Sequence, residues 1–139
     1  MMMKKAIVFA AVLCSCGLAS AQTLIVASDT SGLTSLSKSE VRQLYMGNAG
    51  SVGNAKVTLL DMPEGSAVRQ SFYNSVAGKS ESQLKSYWAR MIFTGRGSPP
   101  KQVRTPKEMA RTLKANPQAL GYLKEDDLQP GLKVLLRLP

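Results

Sequence analysis

Val57-Thr58-Leu59-Leu60-Asp61-Met62-Pro63-Glu64-Gly65-Ser66-Ala67-Val68-Arg69-Gln70-Ser71-Phe72 joins a short apolar run to a turn and then to a helical pattern. Val68, Phe72 and Val76 recur at the spacing of one helix face. A strand that feeds a helix through a Gly-Ser turn leaves backbone N–H groups without intrahelical partners. Those groups converge on one spot, and the helix dipole behind them favours negative charge there. Gly65 lets a ligand come close to the backbone. Ser66 offers a hydroxyl, Ala67 and Val68 offer amides, and Arg69 offers a bidentate fork for an anion. The competing reading of these residues is a capped helix, with Ser66 satisfying its own backbone and Arg69 in a surface ion pair. Glu64 suits the dipole but repels a fully charged anion. It would accept a hydrogen bond from a protonated one.

Outward from this stretch, strands and helices alternate. Thr23 to Ala27 reads as a first strand and Lys56 to Asp61 as a second, both nearly continuous apolar runs. Such runs suit a sheet covered by helices on both sides. Ser37 and Glu40 make a capping box, with Leu36 and Val41 as its hydrophobic staple. Val41, Leu44 and Tyr45 form that helix's apolar stripe, and Gly47 closes it. Asn48 to Asn54 reads as a mobile surface turn. The second helix runs from Ser66 to Ala77 and stops at Gly78.

Ser80 and Gln83 form another capping box. The helix they open carries Leu84, Tyr87, Trp88, Met91 and Ile92 on one face, the cleanest amphipathic pattern in the chain. Trp88 is therefore read as core, and Arg90 beside it as the partner of a buried carboxylate. Gly95 to Pro100 reads as an exposed loop, in which the glycines flanking Arg96 free the backbone to bend around a ligand. Thr105, Pro106 and Glu108 start a fourth helix, and Pro117 stops it. Ala119 to Leu123 and Leu132 to Leu138 read as the last strands, with Asp126 and Asp127 in the turn between them.

Residues 1–21 read as an export signal. Lys4 and Lys5 precede an apolar stretch, Ala6 to Leu18, that is too short to span a membrane. Ala19-Ser20-Ala21 supplies a small-x-small cleavage site, so cleavage after Ala21 would start the mature periplasmic chain at Gln22. A lipoprotein acylated at Cys16 is the alternative, and Leu13-Cys14-Ser15 fits that signal poorly. Both cysteines lie in the signal, which leaves residues 22–139 without thiol or disulfide. Removing 21 residues from 139 leaves 118, enough for one core and too few for two ordinary domains. Without Lys4 and Lys5, sixteen basic and nine acidic side chains remain, a net charge of +7. That charge attracts small anions and acidic partners. The basic residues neither cluster in a run nor interleave with aromatics, so nucleic acid is not an expected partner.

The chain has no histidine. With no mature cysteine either, a zinc site and any Ser-His or Cys-His nucleophile are excluded. Ser35 to Lys38 and Ser82 to Lys85 match S-x-x-K spacing, but both look like helix starts. No catalytic residue, metal site or cofactor is expected, and the chain reads as a binding protein rather than an enzyme.

Three segments in order carry a family resemblance. Leu36-Ser37-Lys38-Ser39-Glu40-Val41-Arg42-Gln43-Leu44-Tyr45-Met46-Gly47 resembles the "LSxEQLxxIFxG" segment of phosphate-binding proteins of ABC importers. Pro63 to Phe72 is similar to their "REEGSGTRxxF" stretch, and Asn116 to Leu123 to their "xPGAIGYV". Tyr87 to Pro100 resembles a short, single-lobe branch of the same superfamily. The resemblance implies an α/β fold: a single lobe of a type 2 periplasmic-binding protein, with a mixed sheet flanked by helices, over residues 22–139. It implies a phosphate-like anion at Gly65, Ser66, Ala67, Val68 and Arg69 and a link to an ABC permease; Arg96 joins the candidates through its glycine-flanked loop, against the reading of a solvent-exposed side chain. By position, Ser66 matches the family serine, Ala67 its glycine and Val68 its threonine. Met62 stands where the family has arginine, so one hydroxyl and one charge are missing. A single lobe cannot close over its ligand, so tight capture would need a homodimer or another protein. The alternative reading is an interaction module that no longer transports and partners a periplasmic sensor, porin or transporter.

Overall fold

The computed structural model describes residues 22–139. The signal and lipoprotein readings of residues 1–21 lie outside them. Two sheets and four helices follow in the order β1 (Thr23–Ser28), α1 (Lys38–Tyr45), β2 (Ser51–Val52), β3 (Ala55–Lys56), β4 (Thr58–Asp61), α2 (Ala67–Ala77), α3 (Glu81–Phe93), β5 (Lys101–Gln102), α4 (Pro106–Ala115), β6 (Ala119–Lys124) and β7 (Leu132–Leu138). The five-stranded sheet has the order β5-β4-β6-β1-β7. β1 runs antiparallel to β6 and β7, while β4 runs parallel to β5 and β6. The sheet is therefore mixed and flanked by helices, as expected.

The interior strands explain their own sequence. All six residues of β1 are buried, because the strand has neighbours on both edges and packing on both faces. β6 shows which helix lies on which side. Gly121 faces α4, where Met109 and Leu113 stand over it. Tyr122, on the opposite face, stacks on Phe72 of α2 at 3.9 Å and meets Tyr45 of α1 edge-on at 6.0 Å. Tyr45 donates its hydroxyl to the carbonyls of Leu60 and Leu120, at 2.8 and 3.2 Å, so a buried phenol fastens α1 to β4 and β6.

Three expectations change. The second strand begins at Thr58, not Lys56. Ala55 and Lys56 pair instead with Ser51 and Val52 in a small hairpin, so the 48–54 segment is partly ordered. Lys101 and Gln102 add an edge strand, parallel to β4, that a two-residue polar segment does not announce. On α3, Leu84 and Trp88 are buried, but the stripe does not continue to its end: Ile92 is 56% exposed.

Candidate functional site

β4 ends at Asp61, and the chain turns through Met62 to Ser66 into α2. Gly65 has φ +85°, a left-handed conformation that explains glycine at this corner. The Ser66 amide bonds the Pro63 carbonyl at 3.1 Å, which closes the turn. Ser66 takes the N-cap position in extended conformation, yet its side chain caps nothing. Its hydroxyl donates backwards to the Pro63 carbonyl at 2.8 Å. In α1, α3 and α4, by contrast, Ser37, Ser80 and Thr105 each accept the amide three residues on. The first α2 amide with a helical partner is Gln70, bonded to Ser66. Those of Ala67, Val68 and Arg69 have no acceptor among the described residues.

The side chains around this mouth sort into two layers. Gly65 and Ala67 are exposed, and Ser66 is half-buried. Met62 and Val68 are buried in the core, so the positions where the related motif has arginine and threonine serve packing here. Glu64 is exposed and pairs with Lys85 of α3 at 3.2 Å, which offsets its repulsion of an approaching anion. An open groove of about 770 Å³ runs from Ala67 between α2 and the start of α3, past Gln70, Asn74 and Lys79.

Arg69 is not at the surface. It is 7% exposed, and its guanidinium is committed inward. Nη1 donates to Asp61 at 2.9 Å and to the Met62 carbonyl at 3.3 Å, and Nε donates to Glu81 at 3.0 Å. The expected anion fork is thus corrected to a clasp that binds the first turn of α2 to β4 and to the start of α3. The physical reason is Asp61, a buried carboxylate that needs a countercharge within reach. Asp61 also accepts hydrogen bonds from the Tyr73 and Tyr122 hydroxyls and from the Met62 amide. Burial pushes the Asp61 carboxyl above its usual range, and the donors from Tyr122, Tyr73, Arg69 and Met62 pull it back in part. Burial and the adjacent carboxylate raise both tyrosines far above their ordinary value, so their hydroxyls stay protonated and keep donating.

Arg96 is also placed apart. It follows α3, at the opposite end of that helix from Glu81, the partner of Arg69. A 13-residue helix is about 20 Å long, so Arg96 does not join residues 65–69. Arg90 is exposed and makes no ion pair among the described residues, so its expected buried partner is absent there. Asp61, Tyr73, Glu81 and Tyr122 were missed as a group. The available signal was an aspartate and an arginine at the two ends of a tight turn, with Tyr73 one helical turn beyond Arg69. Among the described residues no cluster of metal-binding side chains occurs.

No protein-family model matches the sequence, and no curated protein does. The fold does match solved structures. An ABC-type phosphate transport receptor from Vibrio cholerae superposes with a TM-score of 0.65 at 17% identity, over 83% of this chain and 45% of the receptor. A phosphate-bound protein assigned as a phosphate ABC transporter substrate-binding protein, from Clostridium perfringens, gives 0.66 at 12%, over 83% and 44%. PstS from Borrelia burgdorferi gives 0.60 at 14%, over 83% and 46%. The chain spans less than half the length of each. Residues 22–139 therefore have the α/β fold of a single lobe of the phosphate-binding, periplasmic-binding-type proteins, a mixed five-stranded sheet flanked by helices.

Proposed function

We propose that this chain is an exported, periplasmic solute-binding-like protein that holds phosphate or a similar small oxyanion at the mouth of α2. The observation that carries the reading is the uncapped start of that helix. Among the described residues the Ala67, Val68 and Arg69 amides have no acceptor, while the hydroxyl of Ser66 turns away. Three amides and the helix dipole favour an anion, and the net positive charge draws it in. The fold is shared with an ABC-type phosphate transport receptor and with a phosphate-bound ABC transporter substrate-binding protein. Arg69 acts from beneath, by fixing the first turn of α2, and Arg96 has no part in the site.

The site faces water on one side, so each contact is weakened by hydration and salt. Affinity is therefore expected in the millimolar range at physiological ionic strength, unless a second copy or an ABC permease covers the mouth. Titration of the protein with inorganic phosphate, followed by amide chemical shifts, tests this. Movement of the Ala67, Val68 and Arg69 amides, with the response of the latter two reduced by Ala67→Pro, which deletes one free amide at a helix position that tolerates proline, is the expected result. Silence of these amides in millimolar phosphate would reject anion binding and favour the non-transporting interaction module. That second reading draws on Met62 and Val68, two apolar side chains in place of a charge and a hydroxyl.

A further inference from the structure

Folding gathers on α4 a charge that the sequence spreads thinly. Residues 104–114 hold four bases, Arg104, Lys107, Arg111 and Lys114, against one acid, Glu108. At about 100° per residue, Lys107, Arg111 and Lys114 fall within an arc of about 60° on the helix. Met109, Ala110 and Leu113 occupy the far side, where Met109 and Leu113 pack over Gly121 of the sheet. The bases therefore line the outer face of the helix. Arg104, just ahead of the Thr105 cap, borders the same concave patch as Arg111, with Thr105, Glu108 and Thr112 between them. All four bases are exposed. Arg104 pairs with Glu108 at 3.3 Å, and Lys114 donates to the neutral Gln129 at 2.8 Å. Lys107 and Arg111 make no ion pair among the described residues.

This ridge works against its own helix. Like charges three and four residues apart repel each other. Lys107 stands in the first turn of α4, where the helix dipole favours acids. The Thr105 cap and the buried face hold α4 in place, and the bases contribute nothing to either. The dipole that disfavours Lys107 adds to the pull of the ridge on anions. The chemistry of the partner follows from what the ridge lacks. Val103, Met109, Ala110 and Leu113 are all buried, and no large apolar side chain is exposed between residues 103 and 115. A specific protein interface has a core that is apolar and depleted in charge, and this surface offers none. A second copy of this chain, with 18 basic against 9 acidic side chains, is a poor electrostatic match. A row of long basic side chains with no apolar anchor suits a surface dense in headgroup phosphate. We infer that the outer face of α4 docks the protein on an anionic lipid bilayer, through Arg104, Lys107, Arg111 and Lys114.

The probe is a vesicle of phosphatidylglycerol and phosphatidylcholine in equal parts, sedimented with the protein at low salt beside a vesicle of phosphatidylcholine alone. The protein is expected to sediment with the first and not with the second, and to be released at about 0.5 M salt. A nitroxide on the lipid headgroup is expected to broaden the amides of residues 104–114 before all others. Lys107→Glu/Arg111→Glu is expected to lower partitioning about tenfold or more. Lys38→Glu/Lys56→Glu makes the same change of net charge at two exposed lysines elsewhere, and should lower it far less. A circular dichroism melt checks that both variants fold, and Lys107→Gln/Arg111→Gln tests the same ridge without reversing its charge. Equal losses in the two charge-reversal variants would make net charge the cause and overturn the inference. Broadening centred elsewhere, or no binding to phosphatidylglycerol, would do the same. Shifts over residues 104–114 with a glutamate-rich peptide, in a protein that ignores the vesicles, would assign the ridge to an acidic protein and refute the bilayer.

Discussion

Arg69→Ala separates a structural arginine from a ligand-binding one. Asp61 has a side chain only 2% exposed, and that of Arg69 is 9% exposed. Truncation removes one of four donors to a carboxylate that cannot reach water, together with its only charged partner among the described residues. Breaking a buried pair from one side costs about 3–5 kcal/mol. The tyrosine hydroxyls and the Met62 amide remain, which places the expected loss near the lower end, about 3 kcal/mol. For a domain of this size that is a fall in Tm of roughly 10–15 °C. Urea unfolding followed by the fluorescence of Trp88, the sole tryptophan, measures it directly. Asp61→Asn combined with Arg69→Met removes both charges and keeps an acceptor for the tyrosines. The double variant is expected to recover about 1–3 kcal/mol relative to the sum of the single changes. A loss below about 1 kcal/mol for Arg69→Ala would refute the clasp. So would an unchanged midpoint with an abolished phosphate response.

Two further outcomes follow from the same interior. The folded-state carboxyl of Asp61 lies above its unfolded value, so between those two values the folded chain binds more protons than the unfolded one. Its share of stability is greatest below the unfolded value of about 4 and is lost as pH rises through the folded value. The stability difference between the native chain and Asp61→Asn should therefore shift in the native chain's favour as buffer is taken from neutral toward pH 4. A shift in the opposite sense across that window would show a depressed carboxyl. Gly121→Ala would place a methyl 2.5 Å from Met109 Sδ and 3.4 Å from Leu113 Cδ1, both in fully buried side chains. Overpacking of this kind costs about 1–3 kcal/mol. Thermal melts should show the loss and its relief by Met109→Val, and a Gly121→Ala melt equal to that of the native chain would show that α4 gives way.

How far the sequence could be read depends on which interactions are local. Capping boxes at Ser37 and Ser80 and the Thr105-Pro106 start involve residues three apart, and all three helices begin there. β1 announced itself through an apolar run, because a strand with neighbours on both edges and packing on both faces has no solvent face to mark with polar residues. Arg69 was opaque for the complementary reason. Its partners, Asp61 and Glu81, lie on other elements, and a helical arginine reads the same whether it faces water or a buried carboxylate. The α2 mouth lies between these cases. The sequence shows a serine where a cap belongs, but only the backward bond from Ser66 to Pro63 leaves the amides free. The end of α3 inverts the logic of its own pattern. Ile92 continues the apolar spacing of Leu84 and Trp88, yet the body of the lobe stops short of it. Periodicity reports which residues share a face, not how far the neighbouring surface extends. Phe93, next in the chain, stands in solvent.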